Sequence, residues 1–125
     1  MIRTALIAPL LLVAAARAGA QTIPQPDSAT LARSAAHSAL TYWEASSNGP
    51  GEQSVYLKNN STRPIQIVSY EVYDCTNIRG STCKVHTPGP RIDPGKTKIL
   101  VTIDQLHGNA PWSYKYRFEA DFSAP

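Results

Sequence analysis

Hydrophobic and polar residues alternate most regularly near the C-terminal end of the chain. Trp112, Tyr114, Tyr116, Phe118, Ala120 and Phe122 fall on one side of a period-two pattern; Ser113, Lys115, Arg117, Glu119 and Asp121 fall on the other. This predicts an amphipathic strand with one wet face. The aromatic side of that strand reads as sandwich core or cross-strand packing rather than as a ligand platform.

Weaker patterns of the same kind precede it. In 54–58, Val55 and Leu57 share a side. The segment 65–75 reads as a long strand whose phase slips: Ile65 and Ile67 take one face, then Val68, Tyr70 and Val72 the other. A slip of one residue inverts every later side chain, so a bulge is predicted near Val68, or partial cover on both faces. In a further strand Ile99, Val101 and Ile103 alternate with Lys98, Leu100 and Thr102. Turn residues punctuate these runs at Asn48-Gly49-Pro50-Gly51, at 59–64, at Pro88-Gly89-Pro90, at Asp93-Pro94-Gly95 and over 107–111.

The N-terminal third differs. Leu31, Ala35, Leu40 and Trp43 recur at spacings of four to five amid abundant alanine, which predicts a short helix over 28–39 with Asp27 or Ser28 as its cap. The stretch 41–46 is rich in strand-favouring residues. Short strands separated by turns give an all-β fold class, an antiparallel sandwich with a short N-terminal helical segment.

The first residues belong to neither element. Arg3 is followed by an apolar run over 5–16 and by the small-residue pattern Ala18-Gly19-Ala20. These are the three parts of a secretory signal peptide. The run is about 12 residues, whereas a membrane-spanning helix needs roughly 20. The organisation expected is a signal peptide over 1–20, a leader and short helix over 21–38, and a β-sandwich over 39–125. The protein is then secreted or periplasmic, with no membrane insertion after signal cleavage.

Export changes what the charges and cysteines mean. The chain has 12 Lys plus Arg against 9 Asp plus Glu, a net charge of +3. Arg3 and Arg17 leave with the signal, which reduces the excess to +1 and removes the electrostatic basis for nucleic-acid binding. In an oxidising compartment Cys75 and Cys83 are expected to form a disulfide. Their spacing fits neither redox C-x-x-C chemistry nor the usual zinc patterns.

Little in the sequence points to catalysis. His37, His86 and His107 fall in segments expected to be exposed, and none is paired with another at helix or strand spacing. There is no G-x-S-x-G elbow. No dense acidic loop favours calcium, although Asp74, Asp93, Asp104 and His107 are loop-borne. Neither a metal nor another cofactor is expected. Asn60-Ser61-Thr62 matches a glycosylation sequon, meaningful only in a eukaryotic secretory host. The candidate binding aromatics are Trp43, Tyr56 and Tyr73; the phase slip leaves the faces of Tyr56, Tyr70 and Tyr73 open, and core or cross-strand packing is the favoured reading of the aromatics as a group.

The segments SVYLKNNSTRPIQIVSYEVYDC and RIDPGKTKILVTI resemble bacterial extracytoplasmic immunoglobulin-like or fibronectin-like domains, and are most similar to the small FxLYD type. The shared features are Asn59 and Asn60 before a turn with Pro64, a strand ending near Tyr73-Asp74, and the Pro94-Gly95 turn. The chain departs from that pattern at Glu71 and Val72 and adds its two cysteines. By analogy with such domains, the resemblance implies an adhesion, scaffold or accessory module rather than an enzyme. The function expected is an exported, non-catalytic module engaging a protein or cell-surface partner, with an edge strand as the means of engagement. A carbohydrate-binding module using exposed aromatics is the alternative, and a small secreted hydrolase is less favoured.

Overall fold

The computed structural model describes residues 28–46 and 49–124. The expected signal peptide, the expected leader before the helix and Asp27, one of the two expected caps, lie outside the described residues. One helix, α1 (Ser28–Ser38), precedes seven strands: β1 (Leu40–Ala45), β2 (Glu52–Asn59), β3 (Ile65–Thr76), β4 (Val85–His86), β5 (Arg91–Ile92), β6 (Thr97–Asp104) and β7 (Ser113–Phe122). Two antiparallel sheets result, and the all-β sandwich with a short N-terminal helix is the observed class. Among the described residues no helix is long and apolar enough to cross a membrane.

The first sheet has the order β1-β2-β6. The second is built on β3, which pairs with β7 along most of its length. The two-residue strands β4 and β5 pair with Tyr70–Glu71 and Ile65–Gln66, and so share the opposite edge of β3. Gly89 lies where the chain passes from β4 to β5, its N–H bonded to the Ile67 carbonyl at 2.9 Å. A Cβ there would lie 2.6 Å from Ile67 Cγ2, so the approach requires glycine.

The phase slip in β3 is a bulge. Ile67 pairs with Ala120 and Ser69 with Glu119, leaving Val68 as the extra residue. The bulge returns Tyr70 and Val72 to the face that carries Ile65 and Ile67, opposite Phe118 and Tyr116. A second bulge corrects the reading of β6. Val55 pairs with Val101 and Tyr56 with Ile99, so Leu100 is the additional residue. Leu100 is buried, whereas Ile99 is turned out and exposed. Three consecutive apolar residues fit either phase, and pairing with β2 decides between them.

The core joins Val55, Leu57, Ile65, Ile67, Ile92, Leu100, Phe118 and Ala120 to Ala36 and Leu40. Each fully buried aliphatic side chain contributes about 1.5–3 kcal/mol. The helix faces differently from its predicted orientation: Ala36 is buried, while Leu31 and Ala35 are exposed. Alanine at the contact lets α1 lie close against β7, in one cluster with Ala120. Arg33 then reaches Glu119 at 3.4 Å and Asp121 at 3.8 Å. A smaller cluster of Val72, Ile78 and Ile103 is flanked by Trp112, Cys75 and Cys83. Those cysteines are bridged, with Cα atoms 6.4 Å apart. Closing so short a loop contributes about 2–3 kcal/mol by the chain-entropy model.

Asn59 ends β2 rather than belonging to a solvated turn, and it is fully buried. Its amide nitrogen donates to the carbonyls of Arg63 (2.7 Å) and Ile92 (2.9 Å), and its oxygen accepts from the backbone N–H (2.9 Å) and hydroxyl (2.7 Å) of Ser61. A buried amide is tolerated when its hydrogen bonds are made. This one ties the β2–β3 turn to β5.

Candidate binding cleft

The aromatic stripe of β7 is only half covered. Toward its C-terminal end Phe118 and Ala120 are buried beneath α1 and opposite β3. Toward its start, Trp112, Tyr114 and Tyr116 are only partly buried and line a cleft of about 800 Å3. Trp112, Tyr114, Tyr116 and Phe122 pack against the core from partly buried positions, and within the stripe Phe118 and Ala120 alone are buried. In β1 the residues turned toward the cleft are Tyr42 and Glu44, and in β2 Gln53. His37 and Phe118 close one end.

The cleft opens where the two sheets part. In the strand order, β1 is the edge of the first sheet, and among the described residues β7 has β3 as its one strand partner. Two edges without strand partners among the described residues thus border the same opening. Along β7 the stretch from Trp112 to Phe118 extends roughly 20 Å at strand rise.

Hydrogen bonds fix the polar tips of the rings. The Tyr114 hydroxyl donates to Gln53 Oε1, and the Tyr116 hydroxyl donates to Glu44 Oε2. Burial raises the Tyr116 pKa, and the bond to Glu44 and its charge raise it further. Tyr114 is raised by burial and then by the Glu44 charge. Both phenols stay protonated and act as donors. The rings meet at steep angles: Tyr42 is inclined 86° to Tyr116 at 6.2 Å between centroids and 83° to Phe118 at 5.5 Å. His37 stacks on Phe118 at 4.6 Å.

The outer face of β7 carries the opposite chemistry. Lys115 lies 3.5 Å from Asp74, and Arg117 donates to Glu71. That bond and the Glu71 charge hold the guanidinium more firmly protonated than usual.

The three aromatics singled out from sequence are not gathered in one place. Trp43 and Tyr56 are cross-strand partners on the outer face of the first sheet, their ring centroids 5.5 Å apart and inclined by 12°. Parallel rings that close overlap in an offset stack, so they do not form a coplanar, side-by-side platform. Tyr73 lies on the second sheet under the Arg117 guanidinium, 4.5 Å from its ring centroid, and borders the cleft. Sequence reasoning missed Tyr42, Glu44 and Gln53. The alternation Leu40, Tyr42, Glu44 was the available signal, since Leu40 is buried on that side.

The histidines are more engaged than their loop-like settings imply. His37 stacks as described, and His86 stacks on Tyr70 at 4.8 Å while its Nε2–H donates to the Thr82 carbonyl at 2.9 Å. His107 is exposed. Among the described residues none of the three side chains is hydrogen-bonded to a carboxylate or hydroxyl, and no group of three or more His, Cys, Asp or Glu is gathered as a metal site. Glu52 and Asp104 are cross-strand partners at one end of the first sheet. Burial, then the hydrogen bond and charge of Glu52, raise the Asp104 pKa, against an opposing effect of Arg79.

No protein-family model, curated protein or solved structure matches the chain.

Proposed function

We propose that this chain is an exported, non-catalytic binding module that captures an extended segment of a protein or cell-surface partner in the cleft between β1 and β7. The observation that carries the reading is the coincidence of a β7 edge without a strand partner among the described residues with the ring-lined opening. A strand added to a free edge gains main-chain hydrogen bonds, while pockets beside it select side chains. The cleft volume lies within the range of specific ligand sites. Aromatic walls with fixed polar tips suit recognition at low entropic cost.

Export is supported by the signal-like segment over 1–20 and is compatible with the Cys75–Cys83 bridge. The resemblance to extracytoplasmic immunoglobulin-like domains points the same way by analogy. The carbohydrate alternative has less support, because Trp43 and Tyr56 face one another and Tyr73 is overlain by Arg117.

Selection of random peptides against the folded protein tests the proposal. Selected peptides should lose binding to Tyr42→Ser and Tyr114→Ser variants that retain the wild-type melting profile, and keep it with Trp43→Ser. Loss confined to Trp43→Ser moves the site to the outer sheet face and overturns the proposal.

A further inference from the structure

Glu44 is the one carboxylate among the residues lining the cleft, which also include Lys115 and Arg117. Glu44 contributes a carboxylate whose Oε2 accepts from Tyr116, and among the described residues no lysine, arginine or histidine forms an ion pair with it. The cations bordering the cleft are engaged elsewhere: Lys115 with Asp74, Arg117 with Glu71 and the Tyr73 ring. His37 is held against Phe118.

Beside this carboxylate Tyr42 and Tyr116 meet edge to face, nearly at right angles, and both rings line the cleft. Aromatic faces attract cations through their quadrupoles, and an adjacent carboxylate adds a charge-assisted hydrogen bond. Among cationic side chains, only a guanidinium is both planar enough to stack on such a ring and forked to meet a carboxylate.

We propose that the cleft receives an arginine side chain of the bound segment, its guanidinium against Tyr42 and Tyr116 and hydrogen-bonded to Glu44. The assignment rests on the strand-capture reading. It places the specificity of that capture in Glu44, with Tyr116 holding the carboxylate in position.

Calorimetric titration with acetylated, amidated pentapeptides tests it. The peptides have the form Thr-Val-X-Val-Thr, where X is arginine, its uncharged isostere citrulline, or leucine. The arginine peptide should bind about tenfold more tightly than the citrulline peptide. Glu44→Gln, which keeps an acceptor for Tyr116, should bring the two to near equality without shifting the thermal midpoint. Equal binding to the wild type, or a preference that survives Glu44→Gln, overturns the arginine assignment and leaves strand capture standing. Acetyl-arginine amide binding as tightly as the pentapeptide overturns strand capture and leaves the guanidinium site standing. Choline displacing the arginine peptide at equal concentration overturns the peptide source of the cation. Failure of all three peptides overturns both readings.

Discussion

Replacing Asn59 by aspartate exchanges one amide nitrogen for oxygen at a site that is 0% exposed. In the wild type that nitrogen donates to two carbonyls, of Arg63 at 2.7 Å and Ile92 at 2.9 Å. The other oxygen of the new carboxyl keeps both bonds from Ser61. The substituted one faces two acceptors. Protonated, it donates to one carbonyl and leaves the other unpaired, a loss of about 1–3 kcal/mol. Ionised, it opposes both, so its folded-state pKa must rise above the unfolded value of about 3.9. Each unit of that rise adds about 1.4 kcal/mol, and an upward shift of about 2–3 units for a buried carboxyl adds about 3–4 kcal/mol. The sign follows from linkage. Because the folded state holds the proton more tightly, the added destabilisation is absent below the unfolded pKa and grows as pH rises through the folded pKa. Asn59→Asp should therefore cost about 1–3 kcal/mol at pH 3 and about 4–7 kcal/mol at pH 7, a large part of the stability of a typical domain. Urea denaturation of wild type and variant across that pH range measures the difference. A pH-independent difference, or one below about 1 kcal/mol at neutral pH, would refute the role given to this amide.

Two further predictions concern the frame around the cleft. Gly89→Ala places a methyl group 2.6 Å from buried Ile67 and should lower stability by about 1–3 kcal/mol in chemical denaturation; Gly80→Ala, with open space around its Cβ, is the matched control and should be near neutral. Asp104→Asn removes a like-charge cross-strand pair with Glu52. The folded-state pKa of Asp104 is raised, so wild-type stability falls as pH climbs through its titration. The amide variant should be more stable at neutral pH by about 0.2–1 kcal/mol, after allowance for solvent screening, and the gain should vanish in acid. An unchanged difference at both pH values would count against the coupling.

Alternation makes β7 legible, and the phase slip at Val68 leaves a bulge or two-sided cover open until pairing with β7 decides for the bulge. At Leu100 the same logic failed, because Ile99-Leu100-Val101 satisfies both phases and the choice belongs to β2. The strands β4 and β5 are two residues each, too short for a period to register. Asn59 sits in a run of turn-forming residues, and composition does not distinguish a solvated amide from one that bonds inward. The cleft was hidden for a different reason. Periodicity assigns Trp112, Tyr114 and Tyr116 to a face, but whether the opposing sheet reaches across them depends on where β1 ends and on which half of β7 the helix covers. Ala36 settles the second point, and the predicted helical face had put Leu31 in its place.

A partner segment captured as proposed lies along the edge of β7 over the cleft. Backbone amide hydrogen exchange, with and without a saturating selected peptide, measures this directly. New protection should concentrate in residues 112–117, together with shifts in the Tyr42 and Glu44 side-chain resonances on the facing wall. Protection confined to β6, or to the outer face around Trp43 and Tyr56, would contradict it.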